Sequence, residues 1–180
     1  NKEGVLSIKK RILSCLLALT LALGLWTPAW AAPSAVSESE AMQAVNALGI
    51  MVGDKNGNFN LTRTVTRAEF VTMAVKATPG GANVGQAAYS PYPDVPRSHW
   101  AAGYIAAGIR ANLVTGYLDG TFRPGSQITL AEGATIALKL LGYTSADFAG
   151  AYPTGQMAKY HDLKLDRGVT VTSPSAVLTR

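Results

Sequence analysis

The chain has 180 residues, with 16 basic and 11 acidic side chains, two histidines and one cysteine. This composition excludes an intramolecular disulfide and leaves little material for a multi-ligand metal site, so neither a metal nor a cofactor is predicted. Four of the basic residues and one acidic residue lie in residues 1–31, which leaves a net charge of +2 for the remainder. No basic stripe remains there, and nucleic acid is therefore not a predicted partner.

The N-terminal segment has the three parts of an export signal. Lys9-Lys10-Arg11 is a basic cluster, residues 12–26 are uncharged and rich in Leu and Ala, and Ala29-Trp30-Ala31 has small residues where a signal peptidase reads. We predict a signal peptide over 1–31. The alternative is an uncleaved membrane anchor, but the apolar run is shorter than the roughly 20 residues that a spanning helix needs. The membrane is thus a predicted partner only during export.

A predicted linker at 32–39 leads into a first repeat over 40–81. Its first helix is indicated by an apolar face at helical spacing, formed by Ala41, Met42, Val45 and Leu48. A tight turn is predicted at Asn56-Gly57, because both residues tolerate positive φ. A second helix should begin at Thr66 with a capping box, in which Thr66 and Glu69 exchange hydrogen bonds. Glu69 is therefore assigned a capping role.

The same pattern returns at a constant offset, after a Gly/Ala-rich linker at 82–90. In this second repeat, over 91–143, the turn is Asp119-Gly120 and the capping box is Thr129 with Glu132. Asp119 is assigned to the turn, where it would tie the loop down, and Glu132 to the cap. So many coincidences at one offset indicate an internal repeat.

Two further side chains of the second repeat are placed by their spacing. Ser98 can cap a helix that contains Trp100 and Tyr104, and this spacing favours a core position for Trp100 over a ligand platform. Phe122 is predicted to lie beneath the turn as a small local core.

Residues 144–180 are predicted to be a divergent and truncated third repeat. Leu178-Thr179-Arg180 matches Val65-Thr66-Arg67, so the second helix of this repeat would begin at Arg180. Each repeat then consists of a helix, a loop with a turn, and a capped helix. A single such unit cannot bury both of its apolar faces, so packing against neighbours is required. The predicted fold class is all-α, built mainly from helix–loop–helix repeats.

The second repeat resembles an S-layer homology (SLH) domain, at Asp94-Val95-Pro96, at residues 116–124 and at Thr129-Leu130-Ala131-Glu132. The first repeat has the Thr-Arg-Ala-Glu signature of that family at 66–69. The resemblance covers residues 40–180. It implies three repeats packed as a pseudo-trimeric helical bundle with grooves between them. It also implies non-covalent anchoring of a secreted protein at the bacterial cell envelope.

The resemblance further implies a ligand, a secondary cell wall polysaccharide with pyruvate ketals or a peptidoglycan-linked glycan, and other S-layer subunits as partners. An arginine in the first helical turn offers a two-pronged donor to a ketal carboxylate, and the free N–H groups and positive dipole of the helix start favour the same anion. The predicted ligand-binding residues are Thr66, Arg67, Trp100, Gly116, Tyr117, Arg123, Thr129 and Arg180.

Several alternatives stay open at this point. Leu130 occupies the second-repeat position of Arg67, so the second groove is either blind or uses Arg123 instead. The repeats could be the targeting region of a longer cell-surface hydrolase, or a lattice component that binds no sugar. Residues 32–180 contain no catalytic constellation, so this chain is not predicted to be an enzyme.

Overall fold

The computed structural model describes residues 37–180, and the predicted signal peptide at 1–31 lies outside them. The five α-helices in this range are α1 (Glu38–Ala47), α2 (Arg67–Lys76), α3 (Ala102–Arg110), α4 (Leu130–Leu140) and α5 (Thr154–Asp162). Two short 3-10 helices lie at Gly81–Asn83 and Ser145–Asp147. Residues 37–180 form no β-strand, which confirms the all-α prediction. None of the helices described is long and apolar enough to cross a membrane.

Capping boxes begin three of the five α-helices. The two predicted boxes, Thr66 with Glu69 at α2 and Thr129 with Glu132 at α4, are both confirmed. A third box was missed, in which Ser37 and Glu40 start α1 slightly before the predicted helix. Each cap satisfies backbone N–H groups that the helix itself leaves unpaired, and this stabilises a helix by about 1 kcal/mol.

The start of α3 differs from the prediction. The helix begins at Ala102 and has no side-chain cap, so Ser98 does not cap it. Instead, Nδ1 of His99 accepts a hydrogen bond of 3.1 Å from the backbone N–H of Ala101. Trp100 therefore precedes the helix and is 61% exposed, and its predicted core position is wrong. Helical spacing placed it incorrectly because the helical conformation starts only after Trp100.

A closed ring of three backbone hydrogen bonds joins the first two repeats to the segment at 144–180, which is predicted to be a third repeat. The N–H of Val65 donates to the carbonyl of Leu178 at 3.0 Å, Leu178 donates to Ile128 at 3.0 Å, and Ile128 donates to Val65 at 2.9 Å. Val65 and Ile128 are fully buried. Each of the three residues donates one hydrogen bond to a second and accepts one from the third, so the three segments hold one another in place.

A second ring lies slightly further along, at the first residues of α2 and α4 and at Arg180. Arg67 donates its N–H to the carbonyl of Ser126 at 2.8 Å, Leu130 donates to Ala176 at 2.8 Å, and Arg180 donates to Arg63 at 3.0 Å. The backbone at Arg180 thus has the environment that starts α2 and α4. The pseudo-trimeric bundle also requires a helix after Arg180, and it stays a prediction.

Each second helix packs against the first helix of the next repeat, α2 against α3 and α4 against α5. Two clusters of buried side chains form the core. The larger one includes Val71, Ile105 and Phe122, and the smaller one includes Leu138 and Tyr160. The complete burial of Phe122 confirms its predicted place beneath the turn. Among the described residues no helix covers α1 in this way, and none of its residues is buried.

Candidate functional site

A groove of about 470 Å³ lies between the first and second repeats. Arg67 enters it from the first turn of α2, and residues 115–118 enter from the loop of the second repeat. Glu132 and Lys139 line it from α4, and Tyr152 lines it from the segment before α5. Four parts of the chain therefore form one site, which we call the Arg67 groove.

The guanidinium of Arg67 is held by three acceptors of the second repeat. Its Nε donates to the carbonyl of Phe122 at 3.0 Å, and one Nη donates to the carbonyl of Thr115 at 3.3 Å. The other Nη donates to the Glu132 carboxylate at 2.9 Å, and the Arg67 side chain is 8% exposed. A guanidinium has five N–H bonds, so two remain beyond these contacts. Arg67 thus joins the repeats as well as lining the groove.

The N–H groups at the start of α2 are already bonded within the chain. Arg67 donates to Ser126, Ala68 donates to the carbonyl of Pro124 at 3.1 Å, and Glu69 donates to the Thr66 hydroxyl at 3.3 Å. The prediction that free N–H groups here bind an anion is therefore wrong in this structure. The loop after the second turn occupies the position of the expected anion.

Tyr117 and Glu132 form the floor of the groove together with Arg67. The Tyr117 hydroxyl donates to Glu132 Oε1 at 2.7 Å, and Glu132 Oε2 accepts from the backbone N–H of Thr129 at 3.0 Å. The guanidinium groups of Arg67 and Arg123 lie 4.6 and 4.3 Å from the Tyr117 ring centroid. Burial, followed by the bond to Glu132, raises the pKa of Tyr117. Glu132 therefore caps α4, as predicted, and also pairs with Arg67 across the repeat boundary.

Asp119 fastens the turn that presents Tyr117. Its Oδ1 accepts from the backbone N–H of Thr121 at 3.0 Å and from the Thr121 hydroxyl at 2.6 Å. Its Oδ2 accepts from Arg123 at 2.7 Å. These contacts confirm that Asp119 ties the loop down, and they orient Arg123 towards the loop.

Asp94 is a second carboxylate that fixes this loop, and the sequence did not reveal it. It accepts hydrogen bonds from the backbone N–H groups of Phe122 at 2.9 Å and Arg123 at 2.6 Å.

Gly116 lies in the same loop, and a Cβ there would stand 2.7 Å from the Thr121 carbonyl oxygen and against the Tyr92 ring. This position thus needs glycine because the two sides of the loop approach so closely.

Asp94 and Asp119, the two carboxylates that hold this loop, should make the stability of the protein depend on pH. Hydrogen bonds from Thr121 and then Arg123 hold the pKa of Asp119 well below its usual range. Burial alone would raise the pKa of Asp94, but the N–H groups of Phe122 and Arg123 lower it overall. Since both values are lowered by folding, their contribution is complete above about pH 4 and is lost as the pH falls further. In thermal melts, the stability difference between the native protein and Asp119→Asn should be larger at pH 7 than at pH 3. An equal difference at both pH values would contradict this account.

The other predicted site residues lie apart from the Arg67 groove. Trp100 is stacked beside His99 at a centroid distance of 5.7 Å and does not line the groove. Arg180 lies against the first repeat, where its Nη2 donates to the carbonyl of Val52 at 3.1 Å. Val52 and Thr115 stand at equivalent positions of the first two repeats, so this contact repeats the one between Arg67 and Thr115. Arg180 therefore makes the equivalent contact with the first repeat.

Leu130, the residue of the second repeat that is equivalent to Arg67, is apolar. Leu130 is 3% exposed and belongs to the smaller core cluster, with Leu138, Met157 and Tyr160. Arg123 lies over Tyr117 and is paired with Asp119. Within residues 37–180, the second repeat thus has a leucine in apolar contacts at the position where the equivalent residues, Arg67 and Arg180, are cations.

Lys139 and Tyr152 are among the residues of the Arg67 groove that were not predicted from the sequence. Lys139 follows Glu132 by about two helical turns, so its position on the same face of α4 could have been found from helical spacing. Tyr152 is 57% exposed and belongs to the divergent segment before α5, where no repeated pattern marks it.

Comparison with known proteins identifies the family to which the chain belongs. A profile of the S-layer homology domain matches residues 32–71 and 91–134, and each match contains one of the two predicted capping boxes. The chain is also 31% identical over 182 residues to the middle cell wall protein of Brevibacillus brevis, which covers 95% of this chain and 17% of that protein. This chain belongs to the S-layer homology family.

Other relatives are proteins of different kinds. The cellulosome-anchoring protein of Acetivibrio thermocellus is 31% identical over 98 residues, which cover 53% of this chain and 22% of that protein. An endoglucanase of a Bacillus species is 29% identical over 149 residues, which cover 74% of this chain and 15% of the enzyme. The SLH chain thus spans less than a quarter of the length of each of these three relatives.

Proposed function

We propose that these SLH repeats anchor an exported protein non-covalently at the bacterial cell surface by binding a wall polysaccharide. The observation on which this rests is the Arg67 groove, an open site between two SLH repeats that is lined by a fixed cation and an exposed aromatic ring. The names of two relatives, a cell wall protein and a cellulosome-anchoring protein, support the same function. The signal peptide at 1–31 remains a prediction that would account for export.

In the proposed complex, a sugar with a pyruvate ketal enters the groove. Its ring packs against the exposed face of Tyr152 and the side chain of Ile136, since a sugar presents both apolar C–H and polar O–H groups. Arg67 has two N–H bonds beyond its three contacts within the chain. In the proposed complex these donate hydrogen bonds to the ligand, and Arg67 does not bind a carboxylate with its whole guanidinium. Gly116 and Tyr117 shape the wall of the groove beside it. Arg180 would contribute to a second, equivalent site.

The proposed role is binding without catalysis. One specific observation favours the alternative of a targeting region in a longer hydrolase, since the endoglucanase match covers 74% of this chain. That match covers 15% of the enzyme, so in that case the reaction would take place elsewhere in the longer protein and the anchoring function would be unchanged.

Co-sedimentation with purified cell-wall sacculi tests the proposal. We expect the purified protein to pellet with sacculi that retain their wall polysaccharide and to stay in the supernatant after the polysaccharide is removed chemically. A folded protein that stays in the supernatant with both preparations would contradict the proposal. Pelleting without any sacculi would instead identify a self-assembling lattice component.

A further inference from the structure

Tyr92 contacts the loop of the Arg67 groove, although it does not line the groove itself. Its ring is stacked on Phe122 at a centroid distance of 5.5 Å. Its hydroxyl accepts a hydrogen bond from the backbone N–H of Gly116, which follows it by 24 residues. A Cβ at Gly116 would stand 2.7 Å from Cζ of the same ring, so the loop rests directly on Tyr92. Any effect of Tyr92 on the groove therefore passes through this loop.

The peptide unit between Thr115 and Gly116 is held at both ends. Its N–H donates to the Tyr92 hydroxyl, and its carbonyl accepts from one Nη of Arg67 at 3.3 Å. In a planar trans peptide unit the N–H and the C=O point in opposite directions and turn together. The bond to Tyr92 thus fixes the direction of the carbonyl that receives Arg67. Hydrogen bonds linked in this way also polarise and strengthen one another.

Glycine at position 116 makes this outside contact necessary. Without a Cβ its backbone has more conformational freedom than that of other residues, so the loop needs a partner to keep one orientation. The next residue, Tyr117, donates its hydroxyl to Glu132 Oε1 at 2.7 Å, and the same oxygen accepts from Arg67 at 2.9 Å. The orientation at Gly116 therefore affects both neighbours through which the loop meets Arg67 and its partner.

The other side of the loop is held separately. Asp94, two residues after Tyr92, accepts from the backbone N–H groups of Phe122 at 2.9 Å and Arg123 at 2.6 Å. Tyr92→Phe would leave these bonds and the stacking on Phe122 in place. This variant therefore removes one hydrogen bond and little else.

We infer that the Tyr92 hydroxyl is a positioning group for the Arg67 groove. Through the Thr115–Gly116 peptide unit it sets the orientation of the Arg67 guanidinium, and so the affinity of the groove for the wall polysaccharide. The effect on affinity rests on the proposed function, whereas the effect on Arg67 exists in the free protein. Without the hydroxyl, the part-buried N–H of Gly116 loses its acceptor and the peptide unit is free to turn.

The first test is a pelleting titration of the full chain against sacculi that retain their wall polysaccharide. Tyr92→Phe should raise the dissociation constant about tenfold, the effect of one lost hydrogen bond. Tyr104→Phe is the matched control, because Tyr104 packs against the same core cluster from α3 but does not line the groove. It should leave the dissociation constant unchanged. Thermal melts establish that each variant is folded.

The second test needs no ligand and separates positioning from a loss of stability. NMR measures how fast the Arg67 Nε–H exchanges with solvent, with the backbone N–H of Ile105, a fully buried residue of α3, as the reference for opening of the core. In Tyr92→Phe the exchange at Arg67 should accelerate more than the exchange at Ile105. If Tyr92 only stabilised the fold, both rates would rise by the same factor.

The possible results distinguish this inference from the proposed function. If the native protein does not bind sacculi, anchoring and the effect on affinity both fail, and the exchange rates still decide whether Tyr92 positions Arg67. If the native protein binds and Tyr92→Phe binds equally well, anchoring stands and this inference is overturned. It is also overturned if both exchange rates rise together, or if Tyr104→Phe weakens binding as much.

Discussion

Arg67→Ala is expected to lower the free energy of unfolding by about 3–5 kcal/mol, because it breaks a buried ion pair and leaves one partner unpaired. The Glu132 carboxylate would lose its partner, with a side chain that is 17% exposed, and the carbonyls of Phe122 and Thr115 would lose a donor. Urea unfolding followed by circular dichroism measures the change. The result matters for function, since lost wall binding in Arg67→Ala would then reflect unfolding as well as a missing ligand contact.

A second arginine–glutamate pair provides the control for this prediction. Arg63 lies 2.7 Å from Glu69, the capping glutamate of α2, but the Arg63 side chain is 46% exposed. Exposed pairs of this kind contribute roughly 0–1 kcal/mol. Arg63→Ala should therefore cost far less than Arg67→Ala. Equal costs would mean that the contacts of Arg67 across the repeat boundary do not stabilise the fold.

Phe122→Ala is expected to lower the free energy of unfolding by about 3–5 kcal/mol, the usual cost of removing a buried aromatic side chain. Phe122 is 0% exposed, its ring is stacked on Tyr92 at a centroid distance of 5.5 Å, and the Arg67 guanidinium lies 4.8 Å from its centroid. The cavity left behind would also loosen the loop whose carbonyl holds Arg67. Urea unfolding measures this loss, and thermal melts should show the same order of variants.

Phe59, the equivalent residue of the first repeat, is the matched control for Phe122. It is only half-buried, so less apolar surface returns to water in Phe59→Ala and the cost should be smaller. If Phe59→Ala were as costly as Phe122→Ala, burial in the second repeat would not be the source of the difference.

Local patterns in the sequence predicted local structure correctly. The capping boxes of α2 and α4 depend on residues three positions apart, and the turn contacts of Asp119 are equally short-range. The repeat offset also predicted that Arg180 would be equivalent to Arg67, and their bonds to Val52 and Thr115 agree with this. By contrast, the start of α3 was misplaced, because Ser98 looks like a cap but His99 makes the bond.

The groove itself depends on contacts that no local pattern reveals. Arg67 donates hydrogen bonds to Phe122 and Glu132 of the next repeat, and this packing buries its side chain. The same packing brings backbone carbonyls of the next repeat to the N–H groups at the start of α2. Tyr152 reaches the groove only because α5 packs against α4.

The sequence by itself predicted the helical repeats and the caps of α2 and α4, since these follow from spacing and short-range hydrogen bonding, and it predicted the family through its resemblance to the S-layer homology domain. Only the tertiary structure decided which cation remains uncompensated in the groove. Arg67 and Lys139 look alike as charges along the chain, but the Glu132 carboxylate is folded against the first and not the second. The physical reason is that compensation of a charge depends on distances in space, and these are set by how the repeats pack.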